Sequence, residues 1–310
     1  MKYAVVTGAT SFIGVHLIRE LQRNHYHVYA IVRPNSQNMK RLVPSALITI
    51  LEKQMKDYDS LSDIINHPID MFYHLSWDGA RMPQRDDAEM QQANLQCAVK
   101  AMEAANKLRC KVFVGSGSQA EYGKCSGKID ENHPTVPNTE YGKAKLKACE
   151  TLGEMAKSNG IRFVWTRIFS VYGIYDYSKT LVMSALDKML LNETALLTAC
   201  QQTWDFVHVQ DVVGAMYLLG VNNHCMGVYN IASGETKVLR RFVEQMKSIA
   251  NSHSDLDFGA VPYGREGAVS FEPIIDKLVK DTRWRPMISF DQGILEILKS
   301  KQGCKCNEKN

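Results

Sequence analysis

The chain has 310 residues, 45% of them apolar and 23% charged, and carries a formal net charge of +4. These are ordinary globular values, and the length suits one large unit with a smaller appended lobe rather than three domains. Lys and Arg form no patch outside the polar tail, which argues against a nucleic-acid partner, while so mild a charge is compatible with an anionic small substrate.

Tyr3 to Thr7 reads as a first strand. Met1 to Thr7 has neither a basic start with a long apolar run nor a cleavage site, and no stretch nears the roughly 18 apolar residues that cross a bilayer. A cytoplasmic protein with no membrane partner is expected. Gly8-Ala-Thr-Ser-Phe-Ile-Gly14 follows, before a helix over Ile13 to Arg23. Glycines between a strand and a helix allow a tight turn, and they let N–H groups at the helix start approach a pyrophosphate. Gly8, Thr10, Ser11, Phe12, Ile13 and Gly14 are therefore candidate cofactor contacts, with Ser11 where a middle glycine is common. The second strand, His27 to Val32, runs into Arg33 and Pro34, with Ser36, Lys40 and Arg41 close behind. An acidic residue there would favour NAD through the ribose hydroxyls. A guanidinium can instead pair with a 2′-phosphate, so NADP is the expected cofactor and NAD the alternative.

Further strands are expected at Leu47 to Leu51, Met71 to Leu75, Lys111 to Gly115 and Arg162 to Arg167, separated by helical stretches that include Asp87 to Leu108 and Glu140 to Ser158. Apolar strands interleaved with helices predict an α/β fold with a doubly wound parallel sheet. The fifth strand leads into Gly115-Ser-Gly-Ser-Gln-Ala-Glu-Tyr-Gly123, small hydroxyl residues where open parallel sheets place their ligands. Ser118 is the first choice for a hydroxyl on the reacting oxygen, and Ser116 its competitor. Tyr141 and Lys145, four apart on the next helix, share a face. A nearby ammonium favours a phenolate, so Tyr141 can exchange a proton with a substrate oxygen while Lys145 also reaches a nicotinamide ribose.

Helices are expected at Thr180 to Leu191, Val209 to Gly220, Leu239 to Ala250 and Phe290 to Ser300, with a loop over Gly259 to Glu272. The reading divides the chain into a cofactor-binding part (1–170 with 203–224), a substrate lobe (171–202 and 225–300) and a polar tail (301–310) expected to fray. Six cysteines lie singly, with Cys304 and Cys306 close together in the tail. No zinc-like spacing occurs, so they read as reduced thiols and no metal site is expected.

The motifs quoted above, with His74-Leu-Ser, Arg167-Ile-Phe-Ser-Val-Tyr-Gly173, Asp205-Phe-Val-His-Val-Gln-Asp211, Pro262-Tyr-Gly-Arg-Glu-Gly267 and Trp284-Arg-Pro286 to Gly293, resemble in order the extended short-chain dehydrogenases. Over nearly the whole chain the likeness is to their nucleotide-sugar epimerase/dehydratase branch. The later segments look most like reductases of 4-keto-6-deoxy sugars on a nucleoside diphosphate. The resemblance implies a Rossmann-type sheet, a smaller C-terminal substrate lobe and a Ser118-Tyr141-Lys145 catalytic set. It also implies that Leu75 and Ser76 line the cofactor cleft, that Asn94 lies on the helix beneath the site, and that the long helices form a homodimer.

Three departures from the branch stand out. Gln119 and Ala120 follow Ser118 where dehydratases carry an acidic pair, which disfavours elimination. An adenine-binding Asp after the third strand is replaced near Gln54 and Met55. Trp204 stands where an Arg grips the substrate diphosphate; Arg265 is a substitute cation, and Trp204 either stacks on substrate or fills a core. Ser116, Ser118, Gln119, Trp204 and Arg265 are thus the candidate substrate contacts. The expected activity is NADPH-dependent reduction of a keto-sugar nucleotide. A nucleotide-sugar epimerase is the alternative enzyme, and a non-catalytic NAD(P)-binding regulator the alternative outside catalysis.

Overall fold

The computed structural model describes residues 1–264 and 267–307. Seven parallel strands form one sheet: β1 (Lys2–Thr7), β2 (Tyr26–Val32), β3 (Ile48–Glu52), β4 (Met71–His74), β5 (Val112–Ser118), β6 (Arg162–Ile168) and β7 (Gly227–Ile231). Their spatial order is β7-β6-β5-β4-β1-β2-β3. The chain therefore winds outward from β1 to β3, then restarts on the other side of β1 with β4. At that reversal the connections leave in opposite directions, and a crevice opens at the carboxyl ends of β1 and β4.

The strands are apolar on both faces because both faces are covered. Successive side chains alternate across a strand. Val6, Val112, Val114 and Val164 thus face the helices α1 (Phe12–Arg23) and α5 (Val209–Val221), whose Leu17, Leu21, Val212 and Met216 complete that core. Val5, Phe72 and Phe113 face α2 (Ala88–Lys107) and α3 (Glu140–Ser158), against Ala101, Met102, Ala148 and Leu152. Each large apolar side chain so buried is worth roughly 1.5–3 kcal/mol against exposure.

A separate core joins α4 (Leu181–Leu191), α6 (Leu239–Ile249) and α8 (Phe290–Asn307), α7 (Asp276–Thr282) lying between the last two in the chain. Short ribbons link this part to the sheet. Thr203–Asp205 runs antiparallel to Thr236–Val238, and Lys128–Ile129 pairs with Glu272–Pro273. Among the described residues no helix is long and apolar enough to cross a membrane.

The α/β sheet has the doubly wound parallel form expected. The fifth strand continues past Gly115 because Ser116, Gly117 and Ser118 pair with Thr166, Arg167 and Ile168 of β6. Residues 227–231, read as part of the lobe, are the seventh strand of the main sheet, in register with Val164–Ile168. Residues 301–307 of the polar tail continue α8.

Candidate active site

Gly8 closes β1 with φ +66°, and a Cβ there would stand 3.0 Å from the backbone of Leu75 and of Ser76 at the end of β4. The two strand ends can approach only because position 8 has no side chain. Ser11 has ordinary extended torsions, φ −70° and ψ 167°, so no glycine is required there. Its hydroxyl caps α1 by accepting the Gly14 N–H at 3.1 Å. The first N–H groups of a helix have no intrahelical partner. Those of Phe12 and Ile13 have no acceptor among the described residues after this cap, and so can receive an anion.

The adjoining cleft, of about 410 Å³, is lined by Gly8, Thr10, Ser11, Arg33, Ser36, Lys53, Leu75, Ser76 and Trp77, among others. Thr10 and Ser36 share a hydrogen bond of 3.0 Å. Arg33 pairs with Asp78 at 2.7 Å, both side chains substantially exposed. A glycine-built approach, open N–H groups and a polar cleft at the strand reversal are what a dinucleotide requires, so these residues fit an NAD(P) cofactor.

Beside this cleft, the Gly-Ser alternation of β5 has a steric cause. A Cβ on Gly115 would meet the Trp165 ring at 2.5 Å, and one on Gly117 would meet Glu121 Oε1 at 2.6 Å. Glycines therefore occupy the Trp165 face, and Ser116 and Ser118 lie on the other. Ser118 caps the turn Gln119–Glu121: its Oγ accepts the Ala120 N–H at 3.2 Å, while the Glu121 carboxylate accepts the Ser118 N–H at 2.8 Å. With one lone pair so engaged, the hydroxyl proton is free to donate. Glu121 is fully buried, accepting also from Trp165 Nε1 at 3.0 Å and Arg167 Nε at 2.8 Å.

Thr139 caps α3 through the Gly142 N–H at 3.1 Å, and Gly142 lies against the Ala120 carbonyl, where a Cβ would clash. This close packing sets Tyr141 beside Ser118. Burial raises the Tyr141 pKa above its usual value; the Ser118 hydroxyl, which faces the phenol, and the Arg85 and Arg81 cations oppose the rise, while Glu121 adds to it.

Lys145 is buried, donates to the Ser116 carbonyl at 2.7 Å and lies 3.8 Å from the centre of the Trp77 ring. Burial brings it down to about 7, with Glu121 pulling the other way. Its Nζ is 5.8 Å from the Tyr141 ring centre. The Arg85 guanidinium lies nearer, 5.0 Å from the same ring centre, and the spacing along α3 does not reach it. Trp77 crosses the Tyr141 ring edge-on at 6.3 Å and donates to Gln91 Oε1 at 2.8 Å.

The structure brings Ser116, Ser118, Tyr141 and Lys145 together beside the glycine-loop cleft. Gln119 follows directly, with its Oε1 buried and without a donor among the described residues. Trp204 is half-buried, packed against Phe271 at 5.4 Å on the edge of an apolar cluster with Tyr122, Ile129 and Phe169. Arg265 lies outside the described residues. Asn94, expected beneath the site, receives the Asp78 N–H at 3.0 Å and donates to the Asp78 carbonyl at 2.8 Å. Trp77, Arg85, Gln91 and Glu121 are the residues sequence reasoning missed. The one signal for the amides is that Gln91 and Asn94 fall on the buried face of α2 amid Ala98, Ala101 and Met102.

The profile of the NAD dependent epimerase/dehydratase family matches residues 4–232. A UDP-glucose epimerase of Bacillus subtilis, itself uncharacterized, is 26% identical over 82% of this chain and 84% of its own length. CDP-abequose synthase of Salmonella muenchen is 23% identical over 97% and 98%. GDP-6-deoxy-D-mannose reductase of Pseudomonas aeruginosa is 23% identical over 94% and 95%. The crystal structure of Thermotoga maritima UDP-glucose 4-epimerase with UDP-glucose superposes with a TM-score of 0.88 at 22% identity, covering 97% of this chain and 99% of that one.

Proposed function

The chain belongs to the NAD-dependent epimerase/dehydratase family and is an NAD(P)-dependent enzyme, and from that premise we propose that it reduces a keto carbon of a nucleoside-diphosphate sugar, a 4-keto-6-deoxy sugar being the best candidate. The observation that carries the reading is the meeting of Ser118, Tyr141 and Lys145 at the sheet's carboxyl edge, beside a cleft shaped for a dinucleotide.

Gly8, Thr10, Ser11, Leu75 and Ser76, with the Phe12 and Ile13 N–H groups, would hold the dinucleotide, and Arg33 and Ser36 would receive a 2′-phosphate. The Arg33–Asp78 pair does not stand in the way. Exposed ion pairs are worth only about 0–1 kcal/mol, and a phosphate offers Arg33 a doubly charged alternative. A nicotinamide cofactor, when bound, supplies the hydride.

Tyr141 is protonated at neutral pH because burial disfavours its phenolate, so it has a proton to give to the substrate oxygen. Ser118 donates to the same oxygen, its other contacts being fixed by the Gln119–Glu121 turn. Lys145, held by the Ser116 carbonyl, would bond the nicotinamide ribose. Gln119 cannot serve as the acid or base of an elimination, which supports reduction over dehydration. The sugar and nucleotide would lie against residues 171–202, 232–264 and 267–300.

Relatives named as epimerases support a second reading, in which the same residues take hydride from the sugar and return it to the other face. The deciding experiment supplies nucleoside-diphosphate 4-keto-6-deoxy sugars with NADPH or NADH. Stoichiometric NADPH consumption, lost by a factor of about 10²–10⁴ in Tyr141→Phe, is expected. Conversion of a nucleotide sugar with no net NADPH loss would replace the reductase with the epimerase.

A further inference from the structure

The loop after β4 carries an arginine that the scheme above leaves without a task. The Arg85 guanidinium lies 5.0 Å from the centre of the Tyr141 ring, and its Nε is buried with no acceptor among the described residues. Its neighbour Arg81 is otherwise engaged, 4.4 Å from the Tyr177 ring centre and 3.8 Å from Asp176. Among the described residues no carboxylate pairs with Arg85, and a buried Nε–H without an acceptor costs free energy.

The loop is nevertheless built to keep it there. Gln91 Nε2 donates to the carbonyls of Gly79 and Gln84, both at 3.0 Å, and Asn94 clasps Asp78 from both sides. Gly79 has φ +67°, and a Cβ on it would press on Gln84 at 2.9 Å. The Arg85 N–H closes a turn on the Arg81 carbonyl at 2.9 Å. Asp86 accepts the Glu140 N–H at 3.4 Å, which ties the loop to the first turn of α3, the turn that carries Tyr141. Arg85 and its target ring are therefore held by one frame.

The charged groups facing the phenol are Arg85, Arg81, Glu121 and, 5.8 Å from the ring centre, Lys145. Burial leaves Lys145 only partly charged near neutrality, whereas a guanidinium stays charged at any working pH. Resting on the reading of Tyr141 as the proton donor, we propose that Arg85 is the permanent cation of the catalytic centre: laid on the Tyr141 ring, it favours the phenolate and so makes the phenol a readier acid. It is a positioning residue, acting through Tyr141 and not on the substrate.

The test replaces Tyr141 alone by 3-fluorotyrosine, whose fluorine resonance reports ionisation of that one phenol, in protein loaded with NADP+. Arg85→Gln should move the midpoint up by about one pH unit, and Arg85→Lys, which keeps a cation, should restore part of the shift. A midpoint unchanged in Arg85→Gln, or a phenol that never ionises in the folded wild-type protein, overturns the proposal. Failure of the underlying reading looks different: Tyr141→Phe would then keep full NADPH-dependent turnover, whatever the fluorine titration shows.

Discussion

Removing the carboxylate of Glu121 should destabilise the protein far more than its lack of any substrate contact suggests. Its oxygens accept the Ser118 N–H, the Trp165 Nε1–H and the Arg167 Nε–H, at 2.8, 3.0 and 2.8 Å. The Glu121 and Arg167 side chains are 0% and 6% exposed, so solvent screens little of their attraction. In Glu121→Leu the guanidinium stays buried without its carboxylate, the Tyr122 ring facing it at 4.5 Å from the ring centre. Breaking a buried pair from one side costs about 4 kcal/mol. At roughly 2 °C per kcal/mol for a chain of this size, Tm should fall by about 8 °C. Urea unfolding of wild type, Glu121→Leu, Arg167→Met and the double variant provides the assay. The double variant should be more stable than the sum of the single losses predicts, by about 2–3 kcal/mol. Simple additivity, or a loss below about 1 kcal/mol in Glu121→Leu, would refute the reasoning.

Gly8→Ala places a side chain at φ +66° and 3.0 Å from the Leu75 and Ser76 backbone. NADP(H) affinity by calorimetry should drop about tenfold or more, as the two strand ends are forced apart. Lys145 carries a pH signature: its folded pKa of about 7 lies well below its unfolded value near 10.4. Between those values the unfolded chain binds the extra proton, so this group makes cofactor-free stability rise with pH from about 7 toward 10. Lys145→Met should lose that slope, its advantage over wild type narrowing as pH rises; parallel stability–pH curves would contradict a buried, largely neutral lysine.

How far the chain could be read depended on whether a residue's task was local. The glycine loop, the Tyr141–Lys145 spacing and the apolar strands through residue 168 announce themselves within a few positions. β7 does not, because Asn230 interrupts its apolar run. That side chain is fully buried and accepts from the Tyr122 hydroxyl at 2.6 Å, a partner more than a hundred residues away. Arg85 escaped for a related reason. Its loop looks like ordinary polar chain until Gln91 and Asn94 are seen to hold it from beneath. Lys145, by contrast, was found readily, but spacing along a helix does not reveal the burial that brings it down to about 7.

The late arrival of β7 has a consequence for how this molecule can be divided. A fragment ending before residue 227 would leave β6 as a bare margin, its row of N–H and C=O groups from Val164 to Ile168 open to any passing strand. An unpaired edge of that kind is a liability for association, so any cut that isolates the cofactor-binding sheet has to fall after Ile231.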